Sequence, residues 1–214
     1  MPRALIFDFD GLLVDTETVL IDAWVQMHAK DGLPCDRETL HYIVGHTGIA
    51  HDYWTAYAPE IDREALDARY RETAARLTLA APPLPGTLDL LAAARDAGLK
   101  IGLASNSSHH HVEGHLNHRG MRGYFDCIFC REDVPAGKPE PDIYLAALRG
   151  LGVGADETVA FEDSVPGHMA AHRAGLRVVV VPNPSTARCQ FPHAHWQLPS
   201  LAGVTLVELN RRFG

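Results

Sequence analysis

No uncharged apolar run in this 214-residue chain approaches the roughly 20 residues that cross a bilayer. The stretch nearest the amino terminus, "ALIF", is far too short for a secretion signal and gives way at once to Asp8. A cytoplasmic protein with no membrane partner is therefore expected. Basic residues are outnumbered, 19 Lys and Arg against 27 Asp and Glu, a formal net charge of −8, which argues against a nucleic-acid partner and for small molecules. Cysteine is sparse, with four residues, and the one close pair, "CIFC" (Cys127 and Cys130), falls in a segment that reads as a strand. Side chains three apart on a strand face opposite ways, so one metal does not readily take both, and ordinary reduced thiols are expected. There is no internal repeat and no low-complexity tract beyond a short histidine run. What remains is an ordinary globular composition, 46% hydrophobic and 21% charged, long enough for one large domain or one domain with an insertion.

From Leu84 onward helical and extended patterns alternate. "GTLDLLAAARDAG", "HHHVEGHLNHRG", "PDIYLAALRGLG" and "VPGHMAAHRAG" read as helices between the strands "LKIGLAS", "YFDCIFC", "ETVAFED" and "LRVVVVP". Short apolar strands alternating with amphipathic helices imply a parallel sheet covered on both faces. Gly98, Gly120, Gly152 and Gly175 each fall just past a helical pattern, where a left-handed cap residue belongs. The first strand, Arg3 to Phe9, is separated from this series by residues 16–82. That region holds helical patterns and no convincing strand, and it ends in the proline-rich "APPLPG". The expectation is an α/β, Rossmann-like core of residues 1–15 and 83–214 with a small helical cap, residues 16–82, inserted after its first strand.

In such a sheet the binding crevice lies outside the carboxyl ends of the strands. Those ends carry Asp8 and Asp10, then Ser105 and Asn106, then Glu162, Asp163 and Ser164, while Lys138 precedes the helix of "GKPEPDIY". Up to four carboxylates against one lysine repel one another unless a cation intervenes. Oxygen ligands with room for water and phosphate suit Mg²⁺. A carboxylate beside a phosphorus atom is a nucleophile, so Asp8 is expected to form an aspartyl-phosphate, and Asp10 to protonate the leaving oxygen and later deprotonate water. Taken singly, each of these residues has a plain alternative as a helix cap or a surface group.

The motifs "DFDGLLVDTE", "ASNSS", "GKPEPDIY" and "FEDSVPG", in this order, resemble those of the haloacid dehalogenase superfamily, in its helical-cap branch of β-phosphoglucomutases and sugar-phosphate phosphatases. The resemblance implies Asp8 as nucleophile and Asp10 as acid and base, with Ser105, Asn106, Lys138 and Gly11 around the phosphoryl group. It also implies Mg²⁺ held by the Asp8 side chain, the Asp10 carbonyl and Asp163, with Glu162 assisting. The mutases of this branch carry a histidine where this chain has Leu20, and a lysine and an arginine around the glycine matching Gly45, where this chain has Val44 and Gly48. A phosphatase acting on a small phosphorylated metabolite is therefore favoured. A phosphomutase is the alternative, and a non-catalytic phosphate-binding module is the weaker one.

Thr16, His46 and Thr47, with His51 and Asp52 nearby, are the candidates for reading the leaving group, beneath a cap that closes during transfer. A monomer is expected. His111, His115 and His118 share one helical face that could hold zinc or nickel, but nothing nearby completes a site, so a solvated face is expected.

Overall fold

Strand β1 (Ala4–Phe7) is buried along its whole length. Its side chains alternate, Leu5 and Phe7 into one apolar layer and Ala4 and Ile6 into the other, and a strand of that kind is stable only between two layers of helices. The computed structural model describes residues 2–44 and 51–214. It places β1 between β2 (Lys100–Ala104) and β4 (Thr158–Glu162). Beyond β2 lies β3 (Cys127–Phe129), and beyond β4 lie β5 (Arg177–Val180) and β6 (Trp196–Gln197). All five strand pairings are parallel, in the order β3-β2-β1-β4-β5-β6. The chain builds one side of the sheet, returns, and builds the other, so the order reverses between β1 and β4 and opens a crevice at their carboxyl ends.

Each remaining segment of the alternating series becomes the helix its periodicity indicates. Helices α4 (Thr87–Asp96), α5 (His109–His118) and α8 (Leu206–Phe213) cover the Leu5 and Phe7 face, through residues such as Leu91, Leu116 and Phe213. Helices α6 (Asp142–Leu151) and α7 (Val165–Arg173) cover the other, through Ile143, Leu148 and Ala170. Across the reversal Phe7 stacks on Phe161 with centroids 4.8 Å apart. The four glycines read as helix caps all take positive φ. Two features differ from expectation. Strand β3 is three residues long because a 3₁₀ turn, Arg122–Tyr124, takes the start of "YFDCIFC", and the tail adds β6 and α8, of which a two-residue strand is too short to leave a periodic signal.

Residues between β1 and α4 form α1 (Thr16–Lys30), α2 (Arg37–Val44) and α3 (Arg63–Ala80). Asp15 and Asp62 cap α1 and α3 by accepting hydrogen bonds from backbone N–H groups of the first turn. These helices have an apolar core of their own, with Ile21, Trp24, Met27, Leu40, Trp54 and Leu66, and Trp24 stacks on both Tyr53 and Tyr70, at 4.7 and 3.9 Å. The outgoing and returning connections run side by side: Val14 bridges Pro83, and the Leu84 N–H donates to the Leu13 carbonyl at 2.8 Å. Cys127 and Cys130 are free, and burial pushes their thiols up to about 11 and about 12. Both therefore stay protonated near neutrality, as ordinary thiols do.

Candidate active site

Asp8 follows β1, and Glu162 and Asp163 stand at the end of β4, so sheet pairing alone puts three carboxylates in one place. Asp8, Glu162 and Asp163 are 6%, 0% and 1% exposed. Lys138, delivered by the loop before α6, answers part of this charge. Its Nζ donates to Asp8 Oδ1 at 2.5 Å and to Glu162 Oε1 at 2.6 Å. Glu162 Oε1 also accepts from the Tyr144 hydroxyl, and Oε2 from Ser164 Oγ and the Asp163 N–H, each at 3.3 Å. Both oxygens of Glu162 are thus engaged within the protein. Helix α7 passes so close that a Cβ on Gly167 would lie 1.9 Å from Glu162 Oε2, which requires glycine there.

Burial raises the Asp8 carboxyl to about 8, since the pull of Lys138 does not outweigh desolvation and the neighbouring Glu162 and Asp10 charges. Burial opposes the charge on Lys138 as well, but Asp8 and Glu162 more than compensate and raise it above its usual range. Asp163 is pushed well above the carboxylate range by burial and by Asp8, Glu17 and Glu162. Three buried carboxylates with one ammonium leave negative charge in excess, which is what a bound cation relieves. The atoms agree. Oxygens of Asp8, Glu162 and Asp163 lie within 4.8 Å of one another; those of Glu162 are already engaged, whereas Asp163 Oδ1 is buried with no hydrogen-bond partner among the described residues. An all-oxygen donor set with one orphaned acceptor fits a hard divalent cation such as Mg²⁺.

Asp10 occupies the β2 side of the crevice. Its Oδ2 accepts from Ser107 Oγ at 2.6 Å and, more loosely, from Ser105 Oγ at 3.4 Å, and its Oδ1 lies 2.9 Å from His111 Nε2. Burial alone would raise this carboxyl, but hydrogen bonds from His111, Ser107 and Thr16 hold it below the usual range. Asp8, Asp10, Ser105, Lys138 and Asp163 line one cavity of about 440 Å³. The plain alternatives for these residues are taken by their neighbours: Ser108 caps α5 and Ser164 caps α7, which leaves Ser105 and Asp163 facing the cavity.

Several expected positions turn out differently. The Asn106 side chain is spent on the backbone of Lys138, accepting from its N–H at 2.8 Å and donating to its carbonyl at 3.1 Å, so it fixes the lysine loop. Gly11 donates its N–H to the Val14 carbonyl at 2.9 Å and so does not aim it at a phosphate. Its φ is +74°, and a Cβ there would stand 2.3 Å from Asp163 Oδ2 and 2.5 Å from Asn183 Nδ2. Thr16, by contrast, does line the cavity, where it is buried against Asp10. Asp52 is bound to Arg63 and the Trp54 N–H, and His51 packs on Tyr53. Neither lines the cavity, whose helical side among the described residues is formed by Thr16, Glu17, Leu20 and Thr78. His46 and Thr47 lie outside the described residues.

His111 is not on a solvated face; it is the partner of Asp10, and His115 packs its ring against Phe9 at 6.0 Å. The sequence pairs His111 with His115 and His118 by helical spacing, and its role was not legible there; the signal that points to it is its place one turn past the "ASNSS" strand end, on the side of Asp10. Ser107, Tyr144 and Asn183 were also missed. Asn183 stands just past the carboxyl end of β5, where the strand-end rule points.

Residues 2–175 match the family model for haloacid dehalogenase-like hydrolases. The protein YhcW of Bacillus subtilis (strain 168) is 37% identical over 214 residues, covering 98% of this chain and 96% of that one. Hexitol phosphatase B of Escherichia coli (strain K12) is 34% identical over 212 residues, 96% of each chain. Among solved structures, CbbY from Rhodobacter sphaeroides in complex with phosphate is similar with a TM-score of 0.76 and 31% identity, covering 98% of this chain and 100% of that one. Motifs, sheet order and relatives agree: this chain belongs to the haloacid dehalogenase-like hydrolase family, in the branch that holds β-phosphoglucomutases and sugar-phosphate phosphatases.

Proposed function

We propose that this enzyme hydrolyses a small phosphomonoester, a sugar or polyol phosphate by analogy with hexitol phosphatase B, in a Mg²⁺-dependent reaction through an aspartyl-phosphate on Asp8. The observation that carries this reading is the meeting of Asp8, Lys138 and Ser105 in one cavity with Asp10 held two residues away. Lys138 and Ser105 orient the phosphoryl group so that an Asp8 oxygen faces phosphorus. Attack by Asp8 forms the O–P bond and breaks the ester bond, while Asp10 delivers a proton to the departing oxygen. Hydrogen bonds from His111, Ser107 and Thr16 favour the ionised form of Asp10 in the free protein, and the arriving phosphate dianion raises its proton affinity, so protonation comes with substrate. Asp10 then takes a proton from water as that water attacks the phosphoaspartate and frees phosphate.

Asp8 and Asp163 would hold the cation, together with the Asp10 carbonyl. Glu162, with both oxygens engaged, holds Lys138 in line. When bound, Mg²⁺ supplies positive charge that keeps Asp8 ionised and offsets charge on the transferring group. Helices α1–α3 close over the crevice and exclude bulk water.

Hydrolysis rather than phosphomutase chemistry is favoured by charge. Lys138 is the one lysine or arginine among the described residues lining the cavity, and residues 45–50 include neither, so a second phosphate finds no second lysine or arginine among them. Phosphate release from a panel of phosphomonoesters, with and without Mg²⁺, tests the reading. Metal-dependent release lost in Asp8→Asn supports it. Conversion of glucose 1-phosphate to glucose 6-phosphate without release would reverse the choice in favour of a mutase.

A further inference from the structure

Asn183 lies in the loop after β5 and is 7% exposed, yet every polar atom of its side chain is used. Its Nδ2 donates to Asp163 Oδ2 at 2.7 Å and to Glu17 Oε2 at 2.8 Å. Its Oδ1 accepts from the N–H groups of Ser185 and Thr186, at 2.8 and 3.1 Å, and from Thr186 Oγ1 at 3.3 Å. The Asn183 N–H in turn donates to Thr186 Oγ1 at 3.0 Å. This pattern fixes which way the amide points. A flipped amide would set its oxygen against two carboxylates and its NH₂ against two backbone donors. The amide therefore grips one oxygen of Asp163 and leaves the other, Oδ1, buried and unpartnered. Gly11 lacks the Cβ that would block this contact, and its positive φ suits glycine.

We propose that Asn183 is a positioning residue for the cation carboxylate: it clamps Asp163 Oδ2 so that Oδ1 is the oxygen presented to the metal, with Glu17 and the Ser185–Thr186 turn holding the amide in register. This rests on the reading of Asp163 as a metal ligand. Partners of this kind fix a ligand's orientation, and their removal typically weakens metal binding about 10- to 100-fold.

The test is calorimetric titration of the substrate-free protein with Mg²⁺, which does not depend on catalysis. Asn183→Ala is expected to weaken Mg²⁺ binding by about 10-fold or more. Asn183→Asp keeps the size of the side chain but replaces the donor by an acceptor. It is expected to lose binding as Asn183→Ala does, whereas a packing role alone would be spared by the isostere. If either variant fails to fold, Thr186→Val loosens the amide without touching Asp163 and should give a smaller loss in the same direction. Asp163→Asn separates the two assignments. If Asp163→Asn abolishes binding while the Asn183 and Thr186 variants bind as tightly as the parent, Asn183 has no positioning role and the metal assignment stands. If Asp163→Asn also binds Mg²⁺ as the parent does, both assignments fall.

Discussion

The rim of the sheet and the three-helix bundle bury opposite kinds of groups. At the rim, Asp8, Glu162 and Asp163 are withdrawn from water together with Lys138, whose side chain is 4% exposed, and nearly every polar atom has a partner. In the bundle the interior is aromatic and aliphatic, built around Trp24, and ion pairs such as Arg63 with Asp52 and Arg69 with Asp31 stay near the surface. Burying charge is costly unless each group is matched. The rim meets that cost because four parallel pairings hold β1 to β5 in fixed register. The bundle interior needs only shape and apolar area to fold, while two residues at the start of α1, Thr16 and Glu17, tie it to Asp10 and Asn183 at the rim.

That division can be tested from both sides. Asp8→Asn removes the nucleophile while retaining shape, and should lower phosphate release by at least ~10⁴-fold in a steady-state assay. Asp10→Asn should cost about 10²- to 10⁴-fold, the usual worth of a general acid and base. Its Mg²⁺ affinity should remain near that of the parent, because the backbone carbonyl is untouched; a large loss of affinity would place the Asp10 side chain itself on the cation.

On the bundle side, Trp24→Ala removes the residue on which Tyr53 and Tyr70 stack and should destabilise these helices by about 3–5 kcal/mol. Hydrogen exchange should then show α1–α3 losing protection while β1, β2 and β4 keep theirs. Simultaneous loss in both regions would mean that they fold as one unit and that the contrast is only compositional.

A smaller effect lies at the seam between them. Burial lowers the His115 imidazole to about 4 from its usual 6.5, with His111 and Arg119 adding to the shift. Between those values the unfolded chain binds more protons than the folded one, so this group's contribution is present above 6.5 and is lost as pH falls toward 4. His115→Gln should flatten that part of the curve, by about 1 kcal/mol after solvent screening. Urea midpoints of parent and variant, compared near neutrality and near pH 5, would check it.

Much of this protein was legible in one dimension because its signals are local. Strand and helix periods, glycines past helix ends and the proline break at residues 81–86 are set by a residue's nearest neighbours, and they determined the alternating order, the parallel sheet and the rim. The strand-end rule then picked Asp8, Asp10, Ser105, Asp163 and Glu162, and Lys138 was read from its place before the helix of "GKPEPDIY". Partnership was not legible, because it joins residues far apart in the chain. Nothing near Asn106 indicates that it would bind the Lys138 backbone, or near Glu162 that both its oxygens would be engaged. Nothing beside His111 points to Asp10, or beside Asn183 to Asp163 and Glu17. Local periodicity determined which strand ends open onto the crevice. Which residues hold one another there was decided only by the sheet order, since hydrogen bonds form between groups that the tertiary fold, and not the chain, makes neighbours.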